Sequence, residues 1–220
     1  MLQKFQSTVL LAALYLCGLS GVSSATTRAE AVNAANSYVH ISSWTPINNG
    51  YTWADGTQFI SNHSITSSYV DYPYVYGGKD TPAQFIHRVQ EDGIAPGGLN
   101  QAEAPLDTKA IYDKEIANHE EPAKYLAGID CSGFATLVLF GAPSQTLNAD
   151  DLKNKSVAIN LADLKSGDLL IQSGHIRVVT AIGASLSIVE AVGGTIGNVR
   201  VGVQRRGGSN RGSRNKGPAG

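Results

Sequence analysis

The spacing of apolar residues predicts helices in the first two thirds of the chain. Apolar residues recur at helical spacing over residues 28–39, which Thr26 or Thr27 could cap. A short helix is predicted over residues 82–90. The apolar run over residues 131–140 predicts a third helix, because Gly141 and Pro143 follow it.

Beyond residue 168 the hydrophobic period changes to two, which is typical of strands. Four consecutive strands separated by glycine turns are predicted over residues 168–172, 175–182, 186–192 and 198–203. A helical part followed by a run of strands predicts an α+β fold.

Two segments interrupt or follow this pattern. Residues 79–128 have few long apolar runs and are predicted to be an inserted, partly helical loop region. Residues 205–220 are rich in Gly, Ser, Arg and Asn and are predicted to be a basic, disordered tail, because they offer almost nothing to bury. The chain length then favours one domain over residues 26–204.

The N-terminus has the features of a secretory signal. Lys4 precedes an apolar run over residues 9–19 that is too short to span a bilayer comfortably. Ser23 and Ala25 are small residues at the positions that precede a cleavage site. We therefore expect residues 1–25 to be removed and the mature protein to be secreted, extracellular or periplasmic, with no transmembrane segment. The alternative is an uncleaved N-terminal anchor helix.

Composition narrows the possible partners. The hydrophobic fraction is 42% and the formal net charge is -1, so the chain can build a core and is not expected to bind nucleic acid. We expect a monomer. Removal of the leader would also remove Cys17 and leave Cys131 as the single cysteine. A lone cysteine in a secreted protein is either a reactive thiol or a buried inert one, and the count does not decide between them.

The chemistry with the clearest sequence signal surrounds Cys131. Asp130 is a good N-cap residue, so Cys131 is expected at the first helical position. The helix dipole is expected to lower the pKa of a thiol there, and free backbone N–H groups could receive an oxyanion. Gly133 would allow a second chain segment to approach closely.

A thiol nucleophile needs a base, and His175 is the best candidate because it opens a strand. A two-residue turn at Gly183 and Ala184 would place Arg177 opposite Glu190, with His175 diagonal to Glu190 on the same face. Glu190 then either orients the imidazole or only pairs with Arg177. The other four histidines are expected at the surface: His40, His63, His87 and His119.

Four short stretches resemble a known family in their residues and in their order. They are Tyr74-Val75-Tyr76-Gly77-Gly78, Asp130-Cys131-Ser132-Gly133-Phe134, Leu164-Lys165-Ser166-Gly167-Asp168-Leu169 leading to Gly174-His175-Ile176, and Ile188-Val189-Glu190-Ala191. The chain thereby resembles the NlpC-type cell-wall peptidases, a papain-like group of cysteine endopeptidases and amidases. The resemblance covers roughly residues 70–192, with gaps.

The resemblance implies a papain-like fold in which the cysteine helix packs on an antiparallel sheet. Cys131 would be the nucleophile, His175 the base and Glu190 the third polar residue, with Tyr74 near the thiol to help the oxyanion. The implied substrate is a peptidoglycan stem peptide, and no cofactor is implied.

By the same resemblance, Asp130 and Ser132 would line the pocket for the free amine of the substrate. No metal site is expected, because the chain has no closely spaced ligand set of the kind that holds zinc.

Three departures from the family pattern keep other functions open. Glu190 stands where histidine is common, Arg177 replaces a small residue, and about fifty residues separate Gly78 from Asp130. The alternatives are a papain-like amidase or acyltransferase acting on a non-wall substrate, and a secreted binding module without turnover.

Overall fold

The computed structural model describes residues 10–13, 26–52, 56, 58–97, 122–141, 147–172, 174–192 and 202–209, the first and last of these ranges as backbone only. These residues contain five α-helices and a short 3₁₀ turn, Leu161–Asp163. The helices are α1 (Arg28–Val39), α2 (Pro82–Gln90), α3 (Pro122–Tyr125), α4 (Cys131–Phe140) and α5 (Ala149–Asn154).

Ten strands form one large sheet and two small ones in the part of the chain described. They are β1 (Leu10–Ala13), β2 (Gly50–Thr52), β3 (Gln58–Ile60), β4 (Ala95–Pro96), β5 (Leu126–Ala127), β6 (Val157–Ala158), β7 (Leu169–Gln172), β8 (His175–Ile182), β9 (Ser185–Val192) and β10 (Gly202–Ser209). The large sheet is antiparallel, with the order β10-β9-β8-β7-β1-β6. Helices and an antiparallel sheet confirm the predicted α+β class.

Several helices and strands have the bounds that the sequence predicts. Helices α1, α2 and α4 and strand β8 begin and end where the sequence predicts, and β7 and β9 each start within one residue of the prediction. Strand β1 lies within the predicted leader, between β7 and β6. The cleavage after Ala25 stays a prediction.

Strand β10 extends into residues that the sequence predicts to be a basic, disordered tail. Residues 205–209 pair with β9, from Arg205 opposite Val189 to Ser209 opposite Ser185. Backbone pairing satisfies N–H and C=O groups whatever the side chains are, so a composition that lacks apolar residues does not prevent a strand. The remainder of the predicted tail, residues 210–220, lies outside the described residues.

Side-chain caps explain where the long helices begin. The Thr27 hydroxyl accepts a hydrogen bond from the Glu30 backbone, and the Glu30 carboxylate accepts one from the Thr27 N–H. Thr81 and Gln84 make the same reciprocal pair at α2, where Pro82 occupies the first helical position. These pairs satisfy donors that a helix start would otherwise leave without partners.

The hydrophobic core lies between α1, α4 and one face of the large sheet. Ala31, Ala35 and Tyr38 of α1 are buried, and the Tyr38 ring meets Phe134 of α4 edge to face at 5.3 Å. The sheet contributes alternate residues to this core: Leu169, Ile171, Ile176, Val178, Val189 and Ala191. The helix that begins at Cys131 is therefore fixed against β8 and β9.

The two ends of the predicted insertion, residues 79–128, lie close together. Asp80, near its beginning, accepts two hydrogen bonds from Arg88 of α2, at 2.8 and 2.7 Å, and one from the Gly128 N–H at 2.9 Å. Phe85 and Val89 of α2 are buried in the main core. The two ends of the insertion are thus joined by one carboxylate and belong to the folded body.

The structure provides no helix long and apolar enough to cross a membrane within the described ranges.

Candidate active site

Asp130 organises the start of the cysteine helix. Its Oδ1 accepts hydrogen bonds from the Gly133 N–H at 2.6 Å and the Ser132 hydroxyl at 2.9 Å, and its Oδ2 accepts one from the Gly77 N–H at 2.9 Å. The predicted N-cap is confirmed, and Cys131 is the first residue of α4. The buried carboxylate also ties this helix to the Tyr-Val-Tyr-Gly-Gly stretch.

Glycines make that junction possible. A Cβ at Gly133 would collide with the carbonyl oxygen of Gly78, so the predicted close approach at Gly133 is confirmed. A Cβ at Gly78 would lie 2.6 Å from the Gly128 oxygen and 2.8 Å from the Val75 oxygen. Two sequence motifs that lie far apart in the chain therefore interlock through their backbones.

Tyr74 lies close to this junction in the backbone pairing. It forms an isolated bridge with Ile129, and the Val75 N–H donates to the Ile129 carbonyl at 3.2 Å. Tyr74 is buried. Its backbone is therefore held beside the residue that lies two positions before Cys131, and its role toward an oxyanion stays a prediction.

The Cys131 sulfur lies against the main chain on either side of His175. Sγ is 4.0 Å from the Gly174 carbonyl oxygen, and the Ile176 N–H is near enough to act on its charge. Burial, with the charge of Asp130 adding to it, raises the pKa of Cys131 to about 11, although backbone N–H groups partly oppose the rise. The expected lowering of the thiol pKa is wrong, because burial and the charge of Asp130 outweigh the backbone N–H groups that favour the thiolate.

The imidazole of His175 is held through one ring nitrogen. Nε2 lies 2.8 Å from Oε2 of Glu190. A carboxylate can only accept, so Nε2 donates and the neutral ring carries its lone pair on Nδ1. Within the described residues, Nδ1 has no hydrogen-bond partner, and the thiol makes no hydrogen bond to the ring.

Glu190 contacts Arg177 as well as His175, so it is not only a cross-strand partner of Arg177, and its role in orienting a catalytic base stays a prediction. The same Oε2 accepts from Nε of Arg177 at 2.7 Å, and Nη1 of Arg177 donates to Oε1 of Gln172 at 2.9 Å. Burial alone would raise the pKa of Glu190, but the hydrogen bond from His175 and the charge of Arg177 outweigh it and lower that pKa.

Strands β8 and β9 reach the predicted register at these residues through a turn and a bulge that the sequence does not predict. The predicted turn pairing of Ile182 with Ser185 is wrong, because Ile182 pairs with Leu186. A bulge between Val179 and Ala181 then shifts the register back, so that Val178 pairs with Val189. The next step along the ladder brings Arg177 to Glu190, as predicted.

Strand alternation separates the ring of His175 from the cysteine helix. Ile176 and Val178 belong to the core beneath α4, so His175 and Arg177 lie on the opposite face of β8. The structure thus brings the sulfur to the backbone of His175 and brings Glu190 to its ring. Proton transfer between the thiol and the ring would require Nδ1 to move toward the sulfur.

A second histidine network was not predicted from the sequence. His63, expected at the surface, is buried: its Nδ1 lies 3.0 Å from Ser61 Oγ and its Nε2 lies 3.0 Å from Asp71 Oδ2. The Ser61 hydroxyl is buried and donates to the Gly97 carbonyl at 2.9 Å, so its proton is directed to the backbone rather than to His63. The nearby aromatic residues Trp44 and Tyr69, which enclose the ring, were the available signal.

Gln172 was also missed, because a glutamine at a strand end carries no motif. The described residues contain no cluster of three or more His, Cys, Asp or Glu side chains that could hold a metal ion. Comparison of the chain with protein-family models, with curated proteins and with solved structures gives no match.

Proposed function

We propose that the protein is a secreted, papain-like cysteine hydrolase whose nucleophile is Cys131 and whose base is His175. One observation carries the proposal: the Cys131 sulfur lies against the main chain of His175, whose ring is anchored by Glu190 through Nε2. Cysteine acyl transfer requires a thiol, a histidine base and a group that orients the base, and Cys131, His175 and Glu190 would supply these three parts.

The reaction follows from the proton that Nδ1 can accept. Once Nδ1 has moved toward the sulfur, with Nε2 still bound to Glu190, it takes the thiol proton while sulfur attacks the substrate carbonyl carbon. The imidazolium returns that proton to the leaving amine as the C–N bond breaks, which leaves a thioester on Cys131. Water then attacks the thioester with His175 as base, and the acid product and the free thiol are released.

The raised thiol pKa supports one of two modes of activation. With the pKa of Cys131 raised to about 11, the thiolate is a very small fraction of the protein at pH 7. A stored thiolate therefore contributes little in this geometry, and His175 acts as a general base during the attack. Backbone N–H groups in the first turn of α4 would receive the oxyanion.

The substrate class rests on the resemblance to cell-wall peptidases. In this proposal the bond cleaved is an amide of a peptidoglycan stem peptide, and Asp130 and Ser132 contribute to the pocket for a free amine. Three donors already occupy the Asp130 carboxylate, so it would attract an amine by charge. Tyr74 would support the oxyanion from the adjoining segment.

The rival function is a secreted binding module that keeps the fold without turnover. The raised thiol pKa and the separation of thiol and ring by strand alternation favour it. The two candidates predict different thiol chemistry, which makes them easy to distinguish.

The test is the rate of alkylation of Cys131 by iodoacetamide between pH 5 and pH 11, followed by mass spectrometry of the Cys131 peptide. A hydrolase gives a component near neutral pH that His175→Gln removes, followed by a rise toward pH 11. If both proteins show only the alkaline rise, the thiol is inert and the binding module is the better proposal. Incubation with defined muropeptides then identifies the bond that is cleaved.

A further inference from the structure

We propose that Arg177 is a positioning residue that holds Glu190 against His175, with Gln172 fixing Arg177 in turn. This inference rests on the proposed function, because it concerns the base of that reaction. Arg177 is one of the departures from the pattern of the cell-wall peptidases that the sequence resembles. The resemblance therefore does not supply a role for it.

The shared oxygen is the first observation. Oε2 of Glu190 lies 2.8 Å from Nε2 of His175 and 2.7 Å from Nε of Arg177. Because both donors converge on one atom, Arg177 fixes the position of the oxygen that orients the ring. The Glu190 side chain is 2% exposed and that of Arg177 is 24% exposed, so water screens this contact weakly.

The anchor of Arg177 is the second observation. Nη1 donates to Oε1 of Gln172 at 2.9 Å, and Gln172 pairs directly with His175 in the ladder between β7 and β8. The network therefore spans three adjacent strands, β7, β8 and β9. Each long side chain in it has a partner that restricts its rotamers.

Among the described side chains, Arg177 is a cation in direct contact with Glu190. On β8 the facing titratable groups are His175 and Arg177, and Gln172 of β7 is neutral. On β10 the register places neutral Gln204 opposite Glu190, and Arg206 stands opposite Ile188, two residues along β9. Arg177 therefore supplies the direct charge contact to this carboxylate from β8.

This contact controls the tautomer of His175. While Glu190 is ionised, it can only accept, so the proton of the neutral ring stays on Nε2 and Nδ1 can act as base. A protonated Glu190 could donate to Nε2 instead, which would move the ring proton to Nδ1 and remove the base from the thiol side. Arg177 favours the ionised form of Glu190 and thereby the productive tautomer.

The experiment compares Arg177→Met with the wild type in two measurements. Methionine keeps an apolar stem of similar length but removes the charge and both donors. The matched control is Arg28→Met, because Arg28 also makes a half-exposed ion pair with a buried carboxylate, Asp168, and belongs to no part of the site. Thermal unfolding confirms that each variant is folded.

The first measurement is the ring ¹⁵N chemical shifts of His175 as a function of pH, which does not depend on turnover. We expect the neutral ring of the wild type to hold its proton on Nε2, and the neutral ring of Arg177→Met to carry a larger share of its proton on Nδ1. Arg177→Lys should restore the preference for Nε2 in part through its charge. Ring shifts that are identical in wild type, Arg177→Met and Arg28→Met would overturn the inference.

The second measurement is alkylation of Cys131. Removal of Arg177 raises the pKa of Glu190, so the acid limb of the His175-dependent component should move to higher pH. At pH 5.5 we expect at least about a tenfold loss of that component, narrowing toward pH 8. An unchanged acid limb would overturn the inference.

These outcomes separate the two proposals. If wild-type Cys131 shows no His175-dependent reactivity, the proposed function fails, while the ¹⁵N shifts still decide whether Arg177 sets the ring. Should Arg177→Met fail to fold, Gln172→Leu replaces it. That variant keeps the charge but frees the guanidinium, and it should change the shifts in the same direction by a smaller amount.

Discussion

At the scale of single residues, the buried Glu190 carboxylate is the charged group that contacts both His175 and Arg177. Two cationic or donor groups share one of its oxygens, and together they keep it ionised although it is almost inaccessible to solvent. A carboxylate in that state fixes the ring of His175 and cannot release a proton to it. The orientation of the base is therefore a property of the sheet rather than of a flexible loop.

The substitution Glu190→Gln tests that arrangement. Glutamine keeps the shape but offers Nε2 and Arg177 a weaker, neutral acceptor, so we expect the His175-dependent reactivity of Cys131 to fall at least about tenfold, or roughly 1.4 kcal/mol. Arg177→Ala should retain more reactivity than Glu190→Gln. If Glu190→Gln reacts at the parent rate, only a Cys131–His175 pair remains.

Asp130 offers a second test at the residue scale, this time of stability. Asp130→Ala removes the acceptor for Gly133, Ser132 and Gly77 at once, so we expect a loss of about 2 kcal/mol or more in urea unfolding. Asn148→Ala removes the N-cap of the shorter, more exposed α5 and should cost about 1 kcal/mol or less. Equal losses would show that the tie to Gly77 contributes nothing.

At the scale of elements, the sequence predicts most boundaries but not every register. Capping residues such as Thr27, Thr81 and Asp130 determine local hydrogen bonds, so α1, α2 and α4 could be predicted to the residue. The turn after β8 could not, because a longer turn and a bulge compensate each other and leave the same residues opposite near the site. The alternation predicts which residues share a face with Glu190, but not which face meets α4.

One buried polar atom at the bulge lacks a hydrogen-bond partner, which should lower the free energy of unfolding. Oγ1 of Thr180 is buried and is the only such side-chain atom that lacks a partner among the described residues. Thr180→Val replaces the hydroxyl by a methyl group of similar size, so we expect stability to rise by about 1 kcal/mol in urea unfolding.

Thr136 is the matched control for this substitution. It is also buried, in α4, but its hydroxyl donates to the Leu147 carbonyl at 3.2 Å. Thr136→Val should therefore lower stability, by about 1 kcal/mol. A loss of stability in Thr180→Val would indicate that its hydroxyl has a partner after all.

At the scale of the whole molecule, long-range contacts decide what the sequence could not. The order of the motifs around Gly78 and Cys131 suggests a shared site, and the glycines suggest close approach. That Asp130 would hold both segments, and that Asp80 would join both ends of the insertion, depends on tertiary contacts across about fifty residues of chain. The thiol pKa was missed for the same reason, because burial is a property of the assembled molecule.

The joined ends of the insertion have a consequence for a chain that is cut. Residues before position 98 supply α1 and the Gly77–Gly78 backbone, and residues after position 121 supply α4 and the sheet strands β7, β8 and β9 on which α1 packs. Neither part can bury its apolar face alone. If the chain is cleaved between residues 98 and 121, the two fragments should therefore remain together through gel filtration under native conditions and separate only in denaturant. After dilution from denaturant the two fragments should reassociate. The Cys131 thiol would then lie on one fragment, and the Gly77–Gly78 backbone that packs against its helix would lie on the other.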